Sequence, residues 1–149
     1  MKKILNFLLA AALICASAVS AQAKSKYTRS TVTLPVSAQT VLDRNFKADV
    51  SMVKTDKEFG RVKEYEVILT DGTEITFDRS GNWKSVETSA KKNVPDFFVP
   101  DLVKKYVKQY HKDARLCGIE RSGRGYEVEL SNGVEMHFDR DGKFIRYDD

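Results

Sequence analysis

Residues 69–87, LTDGTEITFDRSGNWKSVE, return as residues 130–148, LSNGVEMHFDRDGKFIRYD, at a constant offset of 61. Identities fall at Leu69/Leu130, Gly72/Gly133, Glu74/Glu135, Phe77/Phe138, Asp78/Asp139, Arg79/Arg140 and Gly81/Gly142. Just upstream, Tyr65-Glu66-Val67 matches Tyr126-Glu127-Val128 at the same offset. A chain that repeats a segment this way repeats a supersecondary unit, and no other feature constrains its architecture as strongly.

The repeated segment has the grammar of strands and tight turns. Tyr65, Val67 and Leu69 alternate with Glu66 and Ile68, and Thr73, Ile75 and Phe77 alternate with Glu74 and Thr76. Asp71-Gly72 separates the two runs, which predicts a hairpin with positive φ at both turn residues. Ser80-Gly81 then leads into Trp83 to Val86. In the second copy Asn132-Gly133 and Asp141-Gly142 mark the turns, and Phe144 to Tyr147 closes. Each copy is thus expected to be a three-stranded meander with one apolar and one polar face.

The apolar face must be covered. Residues 34–47 place Val41, Leu42 and Phe46 near helical spacing, and residues 100–112 do the same with Leu102, Val103, Tyr106, Val107 and Tyr110. Asp101, after Pro100, suits an N-cap. Val50 to Lys57 and Arg115 to Ser122 supply one more strand per copy. The expected fold class is therefore α+β, a tandem repeat of helix plus four-stranded antiparallel meander. The first copy spans residues 34–93 and the second 94–149, joined by a polar linker from Ser89 to Pro95. Residues 24–33 form a tail or an added edge strand. Neither copy alone buries much surface, so the two are expected to pack together as one sheet with both helices on one side.

Residues 1–23 are an address rather than structure. Lys2 and Lys3 precede an apolar run from Ile4 to Ala16, and Ala21-Gln22-Ala23 suits signal peptidase. The apolar run is short of the ~20 residues a spanning helix needs. Ile14 is too bulky for the residue before a lipidated Cys15. Cleaved export is the expectation, with no membrane anchor left afterwards. Removing the two lysines takes the net charge from +4 to +2, which gives no reason to expect nucleic-acid binding. It also leaves Cys117 as an unpaired thiol, so no intramolecular disulfide forms. A nucleophilic cysteine needs a base, and His111 and His137 are the histidines available.

Leu34-Pro35 before a short helix, Tyr65-Glu66-Val67, Asp71-Gly72-Thr73-Glu74-Ile75, Phe77-Asp78 and Gly81-Asn82-Trp83-Lys84 resemble the PepSY-like family. The second copy matches through Pro100, Gly125 to Leu130, Asn132-Gly133, Phe138-Asp139 and Gly142. These are secreted proteins common in Bacteroidetes and described as beta-lactamase-inhibitor-like. The resemblance implies a fold similar to the beta-lactamase inhibitory protein and a periplasmic or secreted location. In that inhibitor the sheet surface binds an enzyme.

The candidate binding surface is the polar sheet face. It is expected to carry Glu66, Ile68, Glu74 and Thr76 from the first copy and Glu127, Glu129, Glu135 and His137 from the second; Trp83, just after a hairpin turn, reads as a core-edge aromatic or as an anchor for that surface. Its acidic character suits a basic protein or peptide segment. Asp139-Arg140-Asp141-Gly142 resembles the start of a calcium loop, and Asp78 stands at the matching place in the first copy. No closing carboxylate follows at the expected distance, so Asp78, Asp139 and Asp141 are foremost turn residues. No phosphate loop, serine elbow or metalloprotease motif is present, and no cofactor is implied. The expected function is a non-catalytic binding or inhibitory module, with calcium or small-ligand binding at the Asp-Gly turns as the alternative.

Overall fold

A computed structural model describes residues 26–148, so the expected export segment, residues 1–23, lies outside the described residues. The described residues form nine strands and two α-helices. The strands are β1 Lys26–Thr28, β2 Val50–Glu58, β3 Arg61–Leu69, β4 Glu74–Asp78, β5 Trp83–Glu87, β6 Leu116–Ser122, β7 Gly125–Leu130, β8 Glu135–Phe138 and β9 Phe144–Tyr147. The helices are α1 Val36–Asn45 and α2 Asp101–Tyr110, each preceded by a 3-10 turn, Thr31–Thr33 and Asp96–Phe98.

All nine strands belong to one antiparallel sheet in the order β1 to β9. This corrects the expected tandem of two helix-plus-meander units. The strands are not parcelled into two meanders: β5 pairs with β6 through Ser85↔Glu120, Val86↔Ile119 and Glu87↔Gly118. The reason is physical. Separate meanders would leave the backbone groups of β5 and β6 as open edges and divide an apolar face already small. β1 pairs with β2 and forms one outer edge.

One row of directly opposed residues runs through the sheet: Val53, Val67, Ile75, Val86, Ile119, Val128 and Met136. Each is 0% exposed. The row crosses from β5 to β6 without a break, so the core is one body. Ala38 and Leu42 of α1, and Val103 and Val107 of α2, join the same buried cluster. Both helices therefore cover the same face.

The helix starts differ from expectation. Pro100, not Asp101, occupies the cap position, and Pro35 does so for α1. Proline fixes the extended backbone that precedes a helix. Asp101 instead sits in the first turn and pairs with Lys104 at 2.9 Å. The polar linker is also less loose than it reads. Val94 N–H donates to Leu116 C=O at 2.8 Å, Leu116 N–H donates to Asn93 Oδ1 at 3.1 Å, and Val94 is buried.

The turns carry a second correction. Gly72, Gly81, Gly133 and Gly142 have positive φ, but the residues before them do not. The Asp and Asn side chains act instead as acceptors for backbone N–H groups two residues on: Asp71 for Thr73 and Asn132 for Val134. These are Asx turns followed by a left-handed glycine. Positive φ at two successive residues occurs at Phe59-Gly60, between β2 and β3, with φ of 51° and 76°. Phe59 is 84% exposed there.

Candidate functional site

Strand alternation sends the neighbours of the apolar row to the opposite face. There two rows flank it. One reads Lys54, Glu66, Thr76, Ser85, Glu120, Glu127, His137 and Arg146 across β2 to β9. The other reads Ile68, Glu74, Glu87, Gly118, Glu129 and Glu135. The register thus gathers Glu66, Glu74, Thr76, Glu127, Glu129, Glu135 and His137 on one face, as expected from sequence. It adds Glu87, Glu120 and Gly118. Their signal was available: in β5 and β6 they have the opposite parity to Val86 and Ile119.

Trp83 is not on this face. It is 9% exposed, meets Phe98 edge-on at 5.3 Å and lies 4.5 Å from the Arg121 guanidinium. A bulge between Thr76 and Phe77 shifts the register, so Trp83 opposes Phe77 on the core side. Glu135 is also largely buried, at 8% exposure.

Lysines compensate one margin of the face and not its middle. Lys54 Nζ is 3.1 Å from Glu66 Oε2, and Lys84 Nζ is 2.8 Å from Glu64 Oε2. At the other side His137 Nδ1 is 3.9 Å from Glu127 and its Nε2 is 3.4 Å from Asp148. Among the described residues, no ion pair involves Glu74, Glu87, Glu120 or Glu129. Gly118 lies between Glu87 and Glu129 in their row. A Cβ there would meet Glu129 Cβ at 3.2 Å and Oε2 at 3.5 Å, so the missing side chain lets Glu129 lie over the buried glycine, beside Glu87 in the row.

The electrostatics follow. Burial, then repulsion from Glu74, Glu129, Glu120 and Glu66, pushes Glu87 up to about 7. Burial and Glu66 raise Glu74, and burial and Glu135 raise Glu129. Burial also raises Glu127, against a pull downward from His137. A face that holds its own carboxylates above their usual range gains by accepting positive charge.

The sign of the pH dependence is unusual for an acidic group. The folded value of Glu87 lies above its ordinary 4.5, so the folded state binds the extra proton. Its contribution is intact below about pH 4.5 and is lost as pH rises to about 7. Partial exposure screens the group, which leaves about 2 kcal/mol. Glu87→Gln is expected to stabilise the protein by that amount at about pH 8 and to change little at about pH 4. Urea unfolding at both pH values checks this; a larger gain in acid would contradict it.

The other candidates are occupied or shielded. Asp78 Oδ1 accepts from Ser80 N–H at 2.8 Å and Asn82 N–H at 2.9 Å, while Oδ2 accepts from Asn82 Nδ2 at 3.0 Å. Burial opposes ionisation of Asp78, but these hydrogen bonds outweigh it and lower its pKa. Asp139 Oδ1 likewise accepts from Asp141 N–H at 2.9 Å and Lys143 N–H at 2.8 Å. Both carboxylates therefore serve their turns. Cys117 is buried, and burial first, then Glu129, pushes its thiol up to about 11. A thiol so protonated is a poor nucleophile at neutral pH. His111 Nε2 lies 3.2 Å from the Tyr147 hydroxyl, at the edge of an aromatic cluster.

A family model described as beta-lactamase-inhibitor-like, PepSY-like, matches residues 63–146. No curated protein matches the chain. Among solved structures, the chain is similar to one described as a periplasmic protein of unknown function from Bacteroides vulgatus. That likeness has 33% identity and a TM-score of 0.79 and covers 85% of this chain and 100% of the other. A protein described as calcium-regulated and periplasmic, from Bacteroides thetaiotaomicron, is 33% identical with a TM-score of 0.76, over 84% of this chain and 97% of the other. A second Bacteroides vulgatus periplasmic protein is 36% identical with a TM-score of 0.75, over the same shares.

Proposed function

The chain belongs to the PepSY-like, beta-lactamase-inhibitor-like family and is periplasmic, and from that premise we propose that it is a non-catalytic binding module for a basic protein segment or peptide. The observation that carries this reading is the uncompensated middle of the carboxylate face. Glu74, Glu87, Glu120 and Glu129 gather around the buried Gly118, so a lysine or arginine side chain laid across this part of the face would meet several acidic neighbours at once. The rigid sheet beneath holds them in place, so little ordering cost falls on the protein. The protonated Cys117 and the turn-bound aspartates are consistent with binding rather than catalysis.

The test uses a short lysine-rich peptide and its glutamate-rich counterpart, with binding followed by fluorescence anisotropy. The lysine peptide is expected to bind, and more weakly as salt rises. Combining Glu87→Gln, Glu120→Gln and Glu129→Gln should weaken it at least tenfold, at roughly 0.5 kcal/mol or more per charge pair. Equal binding by the variant, or by both peptides, removes the proposal.

A second reading draws on the relative described as calcium-regulated. Calcium at the Asp78 and Asp139 turns would compete with the backbone N–H groups those carboxylates already hold. Calorimetric titration with calcium chloride decides it, and a flat trace removes it.

A further inference from the structure

On the helix side of the sheet, opposite the carboxylate face, α2 overhangs a groove of about 620 Å³. Small-molecule sites commonly fall within about 300–1,000 Å³. Its floor is carbon: Val94, Val99, Val107 and Leu116, each less than 10% exposed at 3%, 6%, 9% and 7%. Its wall carries Lys104 and Lys108, four residues apart on one side of α2, and His111 and Lys112 just past the end of the helix. Asp96 is the acidic residue lining it. Lys104 is held by Asp101 at 2.9 Å, whereas no ion pair among the described residues involves Lys108 or Lys112.

The helix dipole accounts for a cation in the last turn of α2, namely Lys108, but not for Lys104 in its first turn or for the apolar floor beneath. A groove beside the C-terminal end of α1 offers an internal comparison. It measures about 500 Å³, and there Arg29 and Lys47 face Asp43 and Asp49, so its charge is balanced. A groove of about 510 Å³ at the β2–β3 turn also has cations in excess, with Arg61, Lys63 and Arg79 against Glu58, so what sets the groove under α2 apart is its floor of buried valines and leucine beneath the lysines. A site with an apolar floor and a one-sided cationic wall selects for a molecule with both features.

We propose that this groove binds a single-tailed amphiphile with an anionic head, the tail on the valine and leucine floor and the head at Lys108 and Lys112. The head is a carboxylate or a phosphate; both satisfy a lysine ammonium as a point charge. A free fatty acid and a lysophospholipid are the two sources of that chemistry.

The experiment is calorimetric titration of the full chain with monomeric dodecanoate, dodecyl phosphate, dodecyltrimethylammonium and dodecyl maltoside. Saturable binding of the anions alone is expected. Shortening dodecanoate to decanoate should weaken it about tenfold, from roughly 0.8 kcal/mol per buried methylene. The double variant Lys108→Glu, Lys112→Glu should weaken it about tenfold, at up to ~1 kcal/mol for each exposed charge. Lys47→Glu, at the balanced groove, should leave it unchanged. These lysines are at the surface, so the variants are expected to fold, and circular dichroism verifies that. Tighter binding of lysophosphatidylglycerol than of dodecanoate supports the proposal with a lipid source; the reverse supports it with a free acid. Equal binding of the cationic or neutral amphiphile overturns it. So does binding that survives the double lysine variant, or binding seen with anionic vesicles and with no monomer. The carboxylate face takes no part, so the lysine peptide and these amphiphiles succeed or fail independently.

Discussion

Gly125→Ala is expected to destabilise the protein by about 4 kcal/mol, a large fraction of the roughly 5–15 kcal/mol available to a domain of this kind. Gly125 opens β7 with φ of 137°, a conformation that side chains disfavour. An added Cβ would also collide with the carbonyl oxygen of Phe138 and lie 2.7 Å from Asp139 C and 2.9 Å from its Cα. All three are backbone atoms of the partner strand and its turn, so no rotamer change gives relief. Backbone strain contributes about 1–3 kcal/mol and overpacking a similar amount. Gly133→Ala separates the two effects. It has φ of 81° but nothing within 4 Å of the new atom, so it should cost only about 1 kcal/mol. Urea denaturation of the two variants measures the difference; equal losses would place the whole effect in backbone conformation and refute the collision.

The second large loss is expected from Phe98→Ala, again about 4 kcal/mol. Phe98 is 1% exposed and sits in the 3-10 turn ahead of α2. Its ring meets Phe46 beyond α1 at 5.6 Å and Trp83 of β5 edge-on at 5.3 Å. It therefore joins the end of one helix, the middle of the sheet and the approach to the other helix. Deleting it leaves a cavity that three elements would have to shift to fill. Adjacent Phe97 is 60% exposed, and Phe97→Ala should change stability by less than about 1 kcal/mol. Both variants should unfold in a single transition, because one core runs without a break from β2 to β8. Two separate transitions in calorimetry would contradict that continuity.

The strands were legible because their alternation has period two, and the helices because Leu42, Val103 and Val107 keep helical spacing. That the copies share one sheet was expected, but which strands join them was not legible. The β5–β6 pairing links Val86 to Ile119 across a long excursion, and no local pattern announces such a partner. Trp83 read as either core edge or binding anchor for a definite reason. A bulge between Thr76 and Phe77 inverts the parity of the residue that follows the turn, and a bulge leaves little trace in sequence. Glu87 and Glu120 were missed because they lie outside the best-matched part of the repeat, although their parity against Val86 and Ile119 marks them. Gly118 reads as a weak strand residue until its neighbours Glu87 and Glu129 are placed beside it. The turn residues were found in position but not in mechanism: Asp71, Asp78 and Asp139 act as acceptors for the backbone that follows.

The junction of β5 with β6 also governs how the chain behaves toward copies of itself. Each of these strands shields the other's hydrogen-bonding edge. β1 does the same for the outer side of β2. Among the described residues, the edges left at the two ends belong to β1, with 3 residues, and β9, with 4. Edges so short are poor templates for strand-by-strand growth. Expressing the two halves as separate chains would leave two interior edges unpaired at once and turn a self-limiting sheet into two aggregation-prone fragments.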